Sequence, residues 1–576
     1  MTSDFADLAV VASPGDTIDS TFRLMAERSR EVAHPGLAIV LDDGGRLLGI
    51  LTDGDLRRAY ARDISFALPV SEIMVREPVT LPARTSRDQI IPEVYRRVRQ
   101  SGRHKSDWIR HIPLLGDDGR LVDVLDFLEL LQSQGGGQQK VAVFGLGYVG
   151  ITLAVSLANR GHQVTGLDIR PELIEELKQG RPHVHEPGLR DMLKSTLTRQ
   201  RIDFDTSLGG HRHDVYIIAV GTPLDAASRP NLGALNSVIA AIGSLLKRGD
   251  LVMLRSTVPT GTTRNIVIPQ LEQLSGLEAG KHFHVAFAPE RTIEGRAMQE
   301  LRTLPQVVGG YSTGCTQKAA QFWSTLTRSV VQVASLEASE LVKLANNTYR
   351  DLSFAFANEL ALLADASNVD AFDLILAANE GYPRNPIPQP SPGVGGYCLT
   401  KDPILYGSGL EGPLRDATLG RAGRQVNERA ALYPVEMVER FARRFGRLSS
   451  ELVVLIVGVA FKGEPETTDL RGSTSLDVAN ALKGKVARVL AWDAVVPTAE
   501  LTASGLEPVE SLEQALGRAD VVLILNNHRQ NVSVLSWLQP GAARLIFDGW
   551  HQLDANEIEK IPGLVYATMG YMTPAA

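Results

Sequence analysis

At 576 residues the chain is too long for one hydrophobic core, and roughly 150 residues per domain predicts three or four domains. Charged residues make up 22% and hydrophobic residues 44%, which excludes a disordered or fibrous chain, and a net charge of -7 gives no basic footprint for nucleic acid. No apolar run approaches the roughly 18 residues of a membrane span. The first residues lack the basic segment of a secretory signal, so a cytoplasmic location is expected.

The chain begins with an internal repeat. Residues 45–56 are echoed by residues 119–130, and each copy predicts a turn, a short apolar strand and an acidic helix start. This resembles a pair of cystathionine-β-synthase (CBS) domains, an α+β module. By that resemblance Thr52 and Asp55 would hold the phosphate and ribose of an adenine nucleotide. The second copy has Asp126 where the first has Thr52, so at most one such site is expected; a packing and dimerisation module without a ligand is the alternative.

A polar, glycine-rich linker separates this repeat from a nucleotide-binding pattern. An apolar strand leads into Gly-Leu-Gly-Tyr-Val-Gly and then into a helix, and a second strand ends in an aspartate. Such glycines allow a pyrophosphate to approach a helix amino end, and the acid can accept hydrogen bonds from ribose hydroxyls. That acid favours NAD over NADP, although a nearby arginine could accommodate a 2'-phosphate. The predicted cofactor residues are Gly145, Gly147, Tyr148, Val149, Gly150, Asp168 and Arg170.

Further strands follow, and two of them end in hydroxyl residues. Thr222 and Thr257 stand at the predicted carboxyl ends of parallel strands, where open α/β sheets bind ligands. A helical pattern covers residues 335–378, and another strand-turn-helix series begins at Leu452. The fold class predicted is α/β, with two doubly wound, Rossmann-like domains joined by a helical region and preceded by the α+β repeat.

One of the two cysteines has the sequence context of a nucleophile. Cys398 follows a glycine-rich segment and precedes the pair Lys401-Asp402. The glycines would admit a substrate, and Lys401 would raise the thiolate fraction of Cys398 near neutral pH. A buried structural cysteine is the alternative. Cys315 has no charged neighbour in sequence and is interpreted as inert.

Three His-x-His pairs could place two imidazoles on one face of a strand. No cysteine or third ligand adjoins any of them in sequence, so we interpret them as structural and predict no metal site. The pairs are His183/His185, His211/His213 and His282/His284.

Taken in order, the motifs from residue 140 to residue 576 resemble the UDP-glucose/GDP-mannose dehydrogenase family. Its members oxidise the C6 alcohol of a nucleotide sugar to a carboxylate with two NAD. The resemblance implies an NAD-binding domain, a central dimerising helical domain, a C-terminal nucleotide-sugar domain and a homodimer or higher homo-oligomer. The predicted boundaries are 1–133 for the CBS pair, 134–139 for the linker, 140–334 for the NAD-binding domain, 335–432 for the helical domain and 433–576 for the C-terminal domain.

The same resemblance gives Cys398 a task. It would add to the aldehyde as a thiohemiacetal, give up a second hydride to form a thioester, and be released by water. Lys343 and Asn347, four residues apart on a helix, match the family's lysine and asparagine beside the reacting carbon and would stabilise the developing oxyanion. Asp402 would orient a water molecule with Lys343.

A further segment matches the family's Pro-Glu-Phe-Leu-x-Glu-Gly, with Arg291 replacing the aromatic residue. By this match Glu290 would be the general base for thioester hydrolysis, assisted by Thr257, and Glu294 a cofactor or substrate contact. The residues implied for the nucleotide sugar are Glu290, Arg291, Lys343, Asn347, Gly395, Lys462 and Arg384, the last reaching a neighbouring subunit's substrate. Those implied for NAD beyond the glycine motif are Thr222, Thr257, Glu294, Lys401 and Arg471.

The substrate is predicted from two segments. Pro289-Glu290-Arg291 and residues 304–310 look closer to dehydrogenases of UDP-N-acetylhexosamines than to the UDP-glucose group, so UDP-N-acetylglucosamine or UDP-N-acetylmannosamine is expected. UDP-glucose and GDP-mannose remain alternatives. Two further alternatives are a non-catalytic nucleotide-sugar sensor and a β-hydroxyacid dehydrogenase with a single hydride transfer. For the CBS pair we expect allosteric control by an adenine nucleotide.

Overall fold

A computed structural model of the protein divides into two units, and each is described by itself. The first comprises residues 1–137 with 321–331, and the second comprises residues 138–320 with 332–576. The predicted linker residues 134–137 and the end of the second repeat copy, residues 128–130, lie outside the described residues. The structure describes residues 8–32, 34, 36–85, 87–100, 111–127, 138–225, 227–327, 329–384, 386–410, 412–541 and 544–573.

The first unit contains two three-stranded sheets, one for each copy of the repeat. In each sheet the first strand pairs parallel to the second, and the second and third form an antiparallel pair. The two copies meet through equivalent turns, since Leu47 N donates to Gly119 O and Leu121 N donates to Gly45 O. The elements are β1 (Val10–Ala12), α1 (Ile18–Glu27), β2 (Leu37–Leu41), β3 (Leu47–Thr52), α2 (Asp53–Ala61), β4 (Leu81–Pro82), α3 (Arg87–Gln100), β5 (His111–Leu115) and β6 (Leu121–Asp126), with single 3-10 turns at Arg28–Arg30 and Val70–Glu72.

The second unit opens with a doubly wound domain. Its elements are β7 (Lys140–Phe144), α4 (Tyr148–Asn159), β8 (Gln163–Leu167), α5 (Pro171–Lys178), α6 (Leu189–Thr198), β9 (Ile202–Asp205), β10 (Val215–Ile218), α7 (Gly233–Gly243), β11 (Leu251–Leu254), a π-helical turn (Thr263–Val267), α8 (Ile268–Ser275), β12 (His284–Phe287), α9 (Ala297–Thr303) and β13 (Gln306–Gly310). The next two elements, α10 (Thr313–Ser324) and β14 (Val330–Gln332), each have residues in both units. Within this unit seven strands run in the order β13-β12-β11-β10-β7-β8-β9, parallel except for β13. The order reverses beside β7, so a ligand is expected at the carboxyl end of that strand.

A helical region follows, built on a helix of 31 residues. Its elements are α11 (Leu336–Ala366), α12 (Ala371–Asn379), α13 (Tyr397–Tyr406), a 3-10 turn (Gly407–Gly409), α14 (Pro413–Asp416), α15 (Leu419–Ala431) and α16 (Tyr433–Arg444). The Ser335 hydroxyl caps α11 by accepting from Ala338 N. A buried ion pair between Arg424 and Asp351, 2.7 Å apart, joins α15 to α11. The middle of α11 is thus fixed to α15 by a buried ion pair.

A second doubly wound domain completes the chain. Its elements are a 3-10 turn (Ser449–Glu451), β15 (Val453–Val457), α17 (Thr474–Leu482), β16 (Arg488–Trp492), α18 (Thr498–Ala503), β17 (Glu507–Pro508), α19 (Leu512–Leu516), β18 (Val521–Ile524), a 3-10 helix (Arg529–Trp537), β19 (Arg544–Asp548), α20 (Ala555–Glu559), β20 (Leu564–Thr568) and β21 (Tyr571–Met572). The sheet order is β17-β16-β15-β18-β19-β20-β21, parallel except for β21. The predicted fold class is confirmed. Over the part of the chain that the structure describes, no helix combines the length and the apolar character needed to cross a membrane.

Candidate active site

The amino end of α4 has room for a phosphate group. Gly145 has a φ of +85°, and a Cβ there would lie 2.9 Å from the backbone of Val220, while a Cβ at Gly150 would lie 1.8 Å from the carbonyl oxygen of Gly145. At Gly147, which caps α4, a Cβ would meet no atom within 4 Å. The first and third glycines are therefore required by the backbone itself. The second leaves open space at a helix amino end, the arrangement that binds a dinucleotide pyrophosphate.

Asp168 lies at the carboxyl end of β8, beside this space. Its carboxylate accepts from Leu146 N at 3.0 Å and pairs with the Arg170 guanidinium at 2.9 Å. Burial raises the pKa of Asp168, but Arg170 and the backbone donors outweigh it, so the pKa lies below its ordinary value. The pairing occupies the cation that a 2'-phosphate would need, in agreement with NAD as the cofactor.

Cys398 is the second residue of α13 and lies against the second doubly wound domain. Gly396 has a φ of +91°, and a Cβ there would lie 2.8 Å from the Phe461 ring. A Cβ at Gly395 would lie 2.6 Å from the Gly472 carbonyl oxygen, which also accepts from Gly396 N at 3.0 Å. The glycines thus let the loop before Cys398 pack closely on the loops after β15. A helix amino end also favours a thiolate.

Helix α11 supplies two polar groups to the same place. Lys343 is buried, and Asn347 lies one turn further along. The Asn347 side-chain amide donates to Asp402 at 2.6 Å, and Lys401 pairs with the other oxygen of Asp402 at 3.2 Å. The structure therefore brings together Lys343, Asn347, Lys401 and Asp402 with Cys398, which the sequence predicted from two separate segments.

Desolvation outweighs the cations beside Cys398. The thiol is exposed, but the surrounding protein desolvates it, and this is the largest influence on its pKa. Lys343 lowers the pKa more than Lys401 does, whereas Asp402 and Glu294 raise it. Lys401 therefore acts in the expected direction, but desolvation outweighs both lysines, and the pKa of Cys398 lies above its ordinary value.

Glu290 follows β12 and is buried against Arg255. The Arg255 guanidinium donates to one carboxylate oxygen, and the backbone N–H groups of Arg291 and Thr292 each donate to the other at 2.7 Å. Burial raises the pKa of Glu290, but Arg255, the Thr292 N–H and Lys343 outweigh it. Its pKa therefore lies below the ordinary value, and Glu290 is a carboxylate at neutral pH.

Arg255 is a residue that the sequence analysis did not single out. It is 2% exposed and also donates to the Ala288 carbonyl oxygen at 3.0 Å and to the Gln306 side chain at 3.1 Å. The available signal was an arginine directly after the buried strand β11. A charge in that position needs a buried partner, but the sequence does not say which one.

Two cations of the second doubly wound domain reach Glu294. Lys462 Nζ donates to the Glu294 carbonyl oxygen at 2.6 Å, and the Arg471 guanidinium lies 3.9 Å from the Glu294 carboxylate and 2.6 Å from Asp469. Burial lowers the pKa of Lys462 to about 8. Burial and the Asp469 charge raise the pKa of Glu294. The Glu294 loop is thus held between the two domains.

A cleft of about 500 Å³ lies between the two doubly wound domains. Residues predicted separately to contact NAD share this cleft, and Val149 follows Tyr148 in the first turn of α4. The Tyr148 hydroxyl contacts Glu186 and accepts from Gly295 N at 2.6 Å, which fixes the Glu294 loop to α4. The lining includes Gly147, Tyr148, Arg170, His183, Glu294 and Arg471.

Other predicted site residues are placed as follows. The Thr222 hydroxyl donates to the Thr257 carbonyl oxygen at 2.5 Å, which joins the ends of β10 and β11. The Arg291 guanidinium donates to the Pro305 carbonyl oxygen. Arg384 is exposed and is not brought to these residues; its role at a neighbouring subunit stays a prediction.

Histidines of the His-x-His pairs contact protein side chains. His185 lies 4.0 Å from Glu466, and His213 Nε2 lies 2.9 Å from the Thr165 hydroxyl. His183, which we expected to be structural, lines the cleft.

Cys315 does have an activating neighbour, contrary to expectation. Burial raises its pKa, but hydrogen bonds with His284 and Ser312 outweigh it and lower the pKa to about 7. The sequence did not show this because His284 lies on β12, distant along the chain. Cys315 has no solvent exposure, so reagents do not reach it in the folded protein.

Thr52 and Asp55 lie at the junction of β3 and α2. The N–H and hydroxyl of Thr52 donate to Asp55 at 2.8 and 2.6 Å, and Arg58 pairs with Asp55 at 2.6 Å. These contacts cap α2 and hold both side chains without a ligand. Their role in nucleotide binding stays a prediction.

Comparison with protein families gives three consecutive matches to the UDP-glucose/GDP-mannose dehydrogenase family and one to CBS domains. The NAD binding domain matches residues 139–327, the central domain 337–429 and the UDP binding domain 455–555. The CBS domain matches residues 1–62 and 70–135.

Similar proteins cover most of the chain. A UDP-N-acetyl-D-mannosamine dehydrogenase of Pyrococcus horikoshii is 34% identical over 438 residues, which is 75% of this chain and 99% of the relative. An NDP-N-acetyl-D-galactosaminuronic acid dehydrogenase of Ralstonia solanacearum is 33% identical, over 68% of this chain and 91% of the relative. A solved structure of the UDP-D-ManNAc dehydrogenase from Pyrococcus horikoshii has a TM-score of 0.66 at 31% identity and covers 75% of this chain and 99% of that one.

Proposed function

This chain belongs to the UDP-glucose/GDP-mannose dehydrogenase family, and we propose that it oxidises the C6 alcohol of a UDP-N-acetylhexosamine to the uronate. It is an NAD-dependent nucleotide-sugar dehydrogenase. The observation that carries the finer proposal is the position of Cys398 at the start of α13, beside Lys343 and the Asn347–Asp402 hydrogen bond. A simple alcohol dehydrogenase does not need this thiol.

The cleft residues of the first doubly wound domain fit NAD. The space at Gly147 accepts the pyrophosphate, and ionised Asp168 accepts hydrogen bonds from the ribose. Bound there, NAD supplies the two hydride acceptors, used in succession, that a four-electron oxidation requires.

Cys398 retains the aldehyde between the two oxidation steps. Its sulfur adds to the aldehyde carbon to form a thiohemiacetal, and loss of a hydride and of the hydroxyl proton converts this into a thioester. The raised pKa means that the resting thiol is largely protonated, so the thiol proton passes to the aldehyde oxygen as the sulfur attacks. Lys343 is the strongest cation acting on Cys398 and would stabilise both the thiolate and the oxyanion, with Asn347 as a second donor.

Water then releases the uronate from Cys398. Glu290 is ionised, so it can accept a proton from the attacking water, and Lys343 is close enough to affect its pKa. Contacts with Asn347 and Lys401 fix the orientation of Asp402, which supports its proposed role in orienting the same water with Lys343. Thr257 and Glu290 lie at the ends of neighbouring strands, which supports a joint role.

The choice of sugar rests on the relatives and on one segment. The two relatives described above are named for N-acetylated sugars. This chain has Arg291 where the UDP-glucose group has an aromatic residue, and Arg291 is held at the Pro305 carbonyl oxygen. UDP-glucose and GDP-mannose are the alternatives, and a rate of NAD reduction far higher with either would contradict the proposal.

The first experiment measures NADH formed per UDP-N-acetylhexosamine consumed, with the unaltered protein and with Cys398→Ala. Two NADH per uronate, with a variant that cannot complete the reaction, is the expected result. One NADH with an unaffected variant would indicate a β-hydroxyacid-type reaction with one hydride transfer. Tight sugar binding without NADH would indicate a sensor. Cys315→Ala is the matched control, since Cys315 is buried away from solvent and its loss should leave the stoichiometry at two.

For the CBS pair we propose regulation by an adenine nucleotide bound at Thr52 and Asp55. Both residues lie at the carboxyl end of β3 in the copy that retains the threonine. AMP and ATP are titrated against the full chain and against Thr52→Val, with Thr198→Val on an exposed helix as control. The nucleotide is expected to change the rate of NAD reduction in the full chain and in the control, but not in Thr52→Val. A truncated chain that starts at Gln138 tests both the proposed regulation and the predicted domain boundaries. If the truncated and full chains respond equally to the nucleotide, the proposal is contradicted.

A further inference from the structure

Three potential metal ligands meet where the two CBS copies join. One ligand atom from each of His34, His111 and Asp126 lies within 4.8 Å of the others. Both histidines are buried, at 8% exposure each, and Asp126 is half-buried. The three residues are far apart in sequence, so the fold and not local sequence brings them together.

Strand register explains two of the three positions. His111 begins β5 and Asp126 ends β6, and they are direct partners in the antiparallel pair. Directly opposite residues of such a pair present their side chains on the same face. The equivalent partners in the first copy are Leu37 and Thr52. The second copy thus carries an imidazole and a carboxylate where the first carries an apolar side chain and a hydroxyl.

His34 comes from the first copy and is already oriented by the second. Its Nε2 lies 2.9 Å from the Val124 carbonyl oxygen. A carbonyl only accepts, so Nε2 carries the proton and Nδ1 keeps its lone pair in the neutral ring. A ring nitrogen that donates to a backbone carbonyl is the usual support of a metal-bound histidine, because it fixes the tautomer and the orientation of the ring.

The spacing of the three side chains suits a bound cation. The rings of His34 and His111 pack edge to face with centroids 5.3 Å apart. Val124, whose carbonyl oxygen meets His34, belongs to an apolar core cluster with Leu37 and Ile39. Zinc holds nitrogen and oxygen ligands at about 2.0–2.2 Å, so two ligands of one ion are at most about 4.4 Å apart. The three ligand atoms already lie within 4.8 Å of one another, so a small movement of the side chains brings them to the zinc spacing.

We propose that His34, His111 and Asp126 bind one divalent transition-metal ion, with Zn²⁺ as the best fit. Two imidazoles and one carboxylate are ligands that zinc prefers, and three protein ligands leave a fourth tetrahedral position for water. Because His34 belongs to one copy and the other two ligands to the next, the ion links the two halves of the CBS pair. The site also accounts for the exchange of threonine for aspartate at residue 126.

The experiment uses the full chain, stripped with a chelator and then titrated with Zn²⁺ against a chromophoric competitor. The variants are His111→Leu and Asp126→Thr, which restore the residues of the first copy, a pair already compatible with this fold. The unaltered protein is expected to bind one zinc equivalent more tightly than either variant, by at least about 100-fold. Zinc is also expected to raise the thermal midpoint of the unaltered protein but not that of His111→Leu or Asp126→Thr, since ligation stabilises only the folded state.

His211→Gln is the matched control, since it alters an exposed histidine of another pair and should leave zinc uptake unchanged. Binding of Co²⁺ gives a second readout, because its visible absorption reports nitrogen ligation at low coordination number. Folded variants that take up as much zinc as the unaltered protein, with the same affinity, would overturn the proposal. So would an unaltered protein that takes up no zinc. Should a variant fail to fold, His34→Gln, which keeps a side-chain donor for Val124, makes the same comparison.

Discussion

The side-chain amide of Asn347 donates to the Asp402 carboxylate at 2.6 Å, and this contact links the long helix α11 to α13, whose second residue is Cys398. Asp402 has no solvent exposure, and its carboxylate is held by Asn347 and Lys401. The position of Cys398, the proposed nucleophile, therefore depends in part on a hydrogen bond between two helices.

Asn347→Ala is expected to lower kcat by about 10²–10³, because it removes a donor to the oxyanion and releases Asp402. The free energy of unfolding is expected to fall by about 1–3 kcal/mol, since a buried charged acceptor loses a partner. Steady-state kinetics and urea unfolding measure the two effects. Ser353→Ala on the same helix is the control. A variant with normal kcat and reduced stability alone would mean that Asn347 is only structural.

Alkylation of Cys398 should report its raised pKa. The rate of reaction with iodoacetamide is expected to rise with pH through a value above that of an ordinary thiol, because desolvation disfavours the thiolate. Lys343→Met should move this value higher than Lys401→Met does, since Lys343 is the stronger cation. Mass spectrometry identifies the labelled residue, and buried Cys315 should stay unlabelled. An apparent pKa below that of a free thiol would contradict the desolvated site.

Substitution of two glycines of the NAD motif should have different effects, one on NAD binding and the other on stability. Gly147→Ala is expected to fold normally and to bind NAD at least about tenfold more weakly, because the methyl group occupies the open space. Gly150→Ala is expected to lose about 1–3 kcal/mol of stability or more, since its Cβ would overlap the Gly145 carbonyl oxygen. Calorimetric NAD binding and thermal unfolding distinguish them. The reverse pattern would mean that the pyrophosphate does not lie at Gly147.

The loss of stability caused by Arg255→Met should depend on pH. In the unaltered protein the folded pKa of Glu290 is below its unfolded value, so this group stabilises the fold above the unfolded pKa, and that contribution is lost as pH falls through the folded value. Without Arg255 the buried carboxylate is uncompensated and its pKa rises, at a cost of about 3–5 kcal/mol near neutral pH. The loss should be smaller at low pH, where Glu290 is protonated. Urea unfolding of Arg255→Met and of the double variant with Glu290→Gln tests this; equal losses at all pH values would contradict it.

Helix α11 carries large apolar residues on one exposed face. Tyr349, Phe356 and Leu363 are 75%, 55% and 60% exposed and are spaced by seven residues, which returns nearly to the same side of a helix. We expect this seam to mediate the self-association predicted from the sequence. Phe356→Glu should shift the sedimentation coefficient to that of a smaller species, and Leu448→Glu, at an exposed site elsewhere, should not. A Phe356→Glu variant of unchanged size would place the contact on another surface.

The sequence predicted those parts that local pattern controls. The glycines at 145, 147 and 150, the spacing of Lys343 and Asn347, and the repeat in the first unit each depend on residues close together in the chain. The Arg255–Glu290 pair joins two strands, and its effect on the Glu290 pKa is visible only once both are placed. The net rise in the Cys398 pKa was missed because desolvation depends on the whole cleft. The contacts of His34 with the second CBS copy were missed for the same reason.

The length of α11 has a mechanical consequence. At 1.5 Å per residue, about 20 Å of helix separates Lys343 from Phe356. If the helix tilts as a rigid body by about three degrees at the seam, Lys343 moves by about an ångström. A displacement of that size in a catalytic site can slow a reaction on the order of a hundredfold. Subunit contacts at the seam would thereby control the position of Lys343, the proposed oxyanion donor. A change of partner or packing there would alter the surroundings of Cys398 without any contact to substrate.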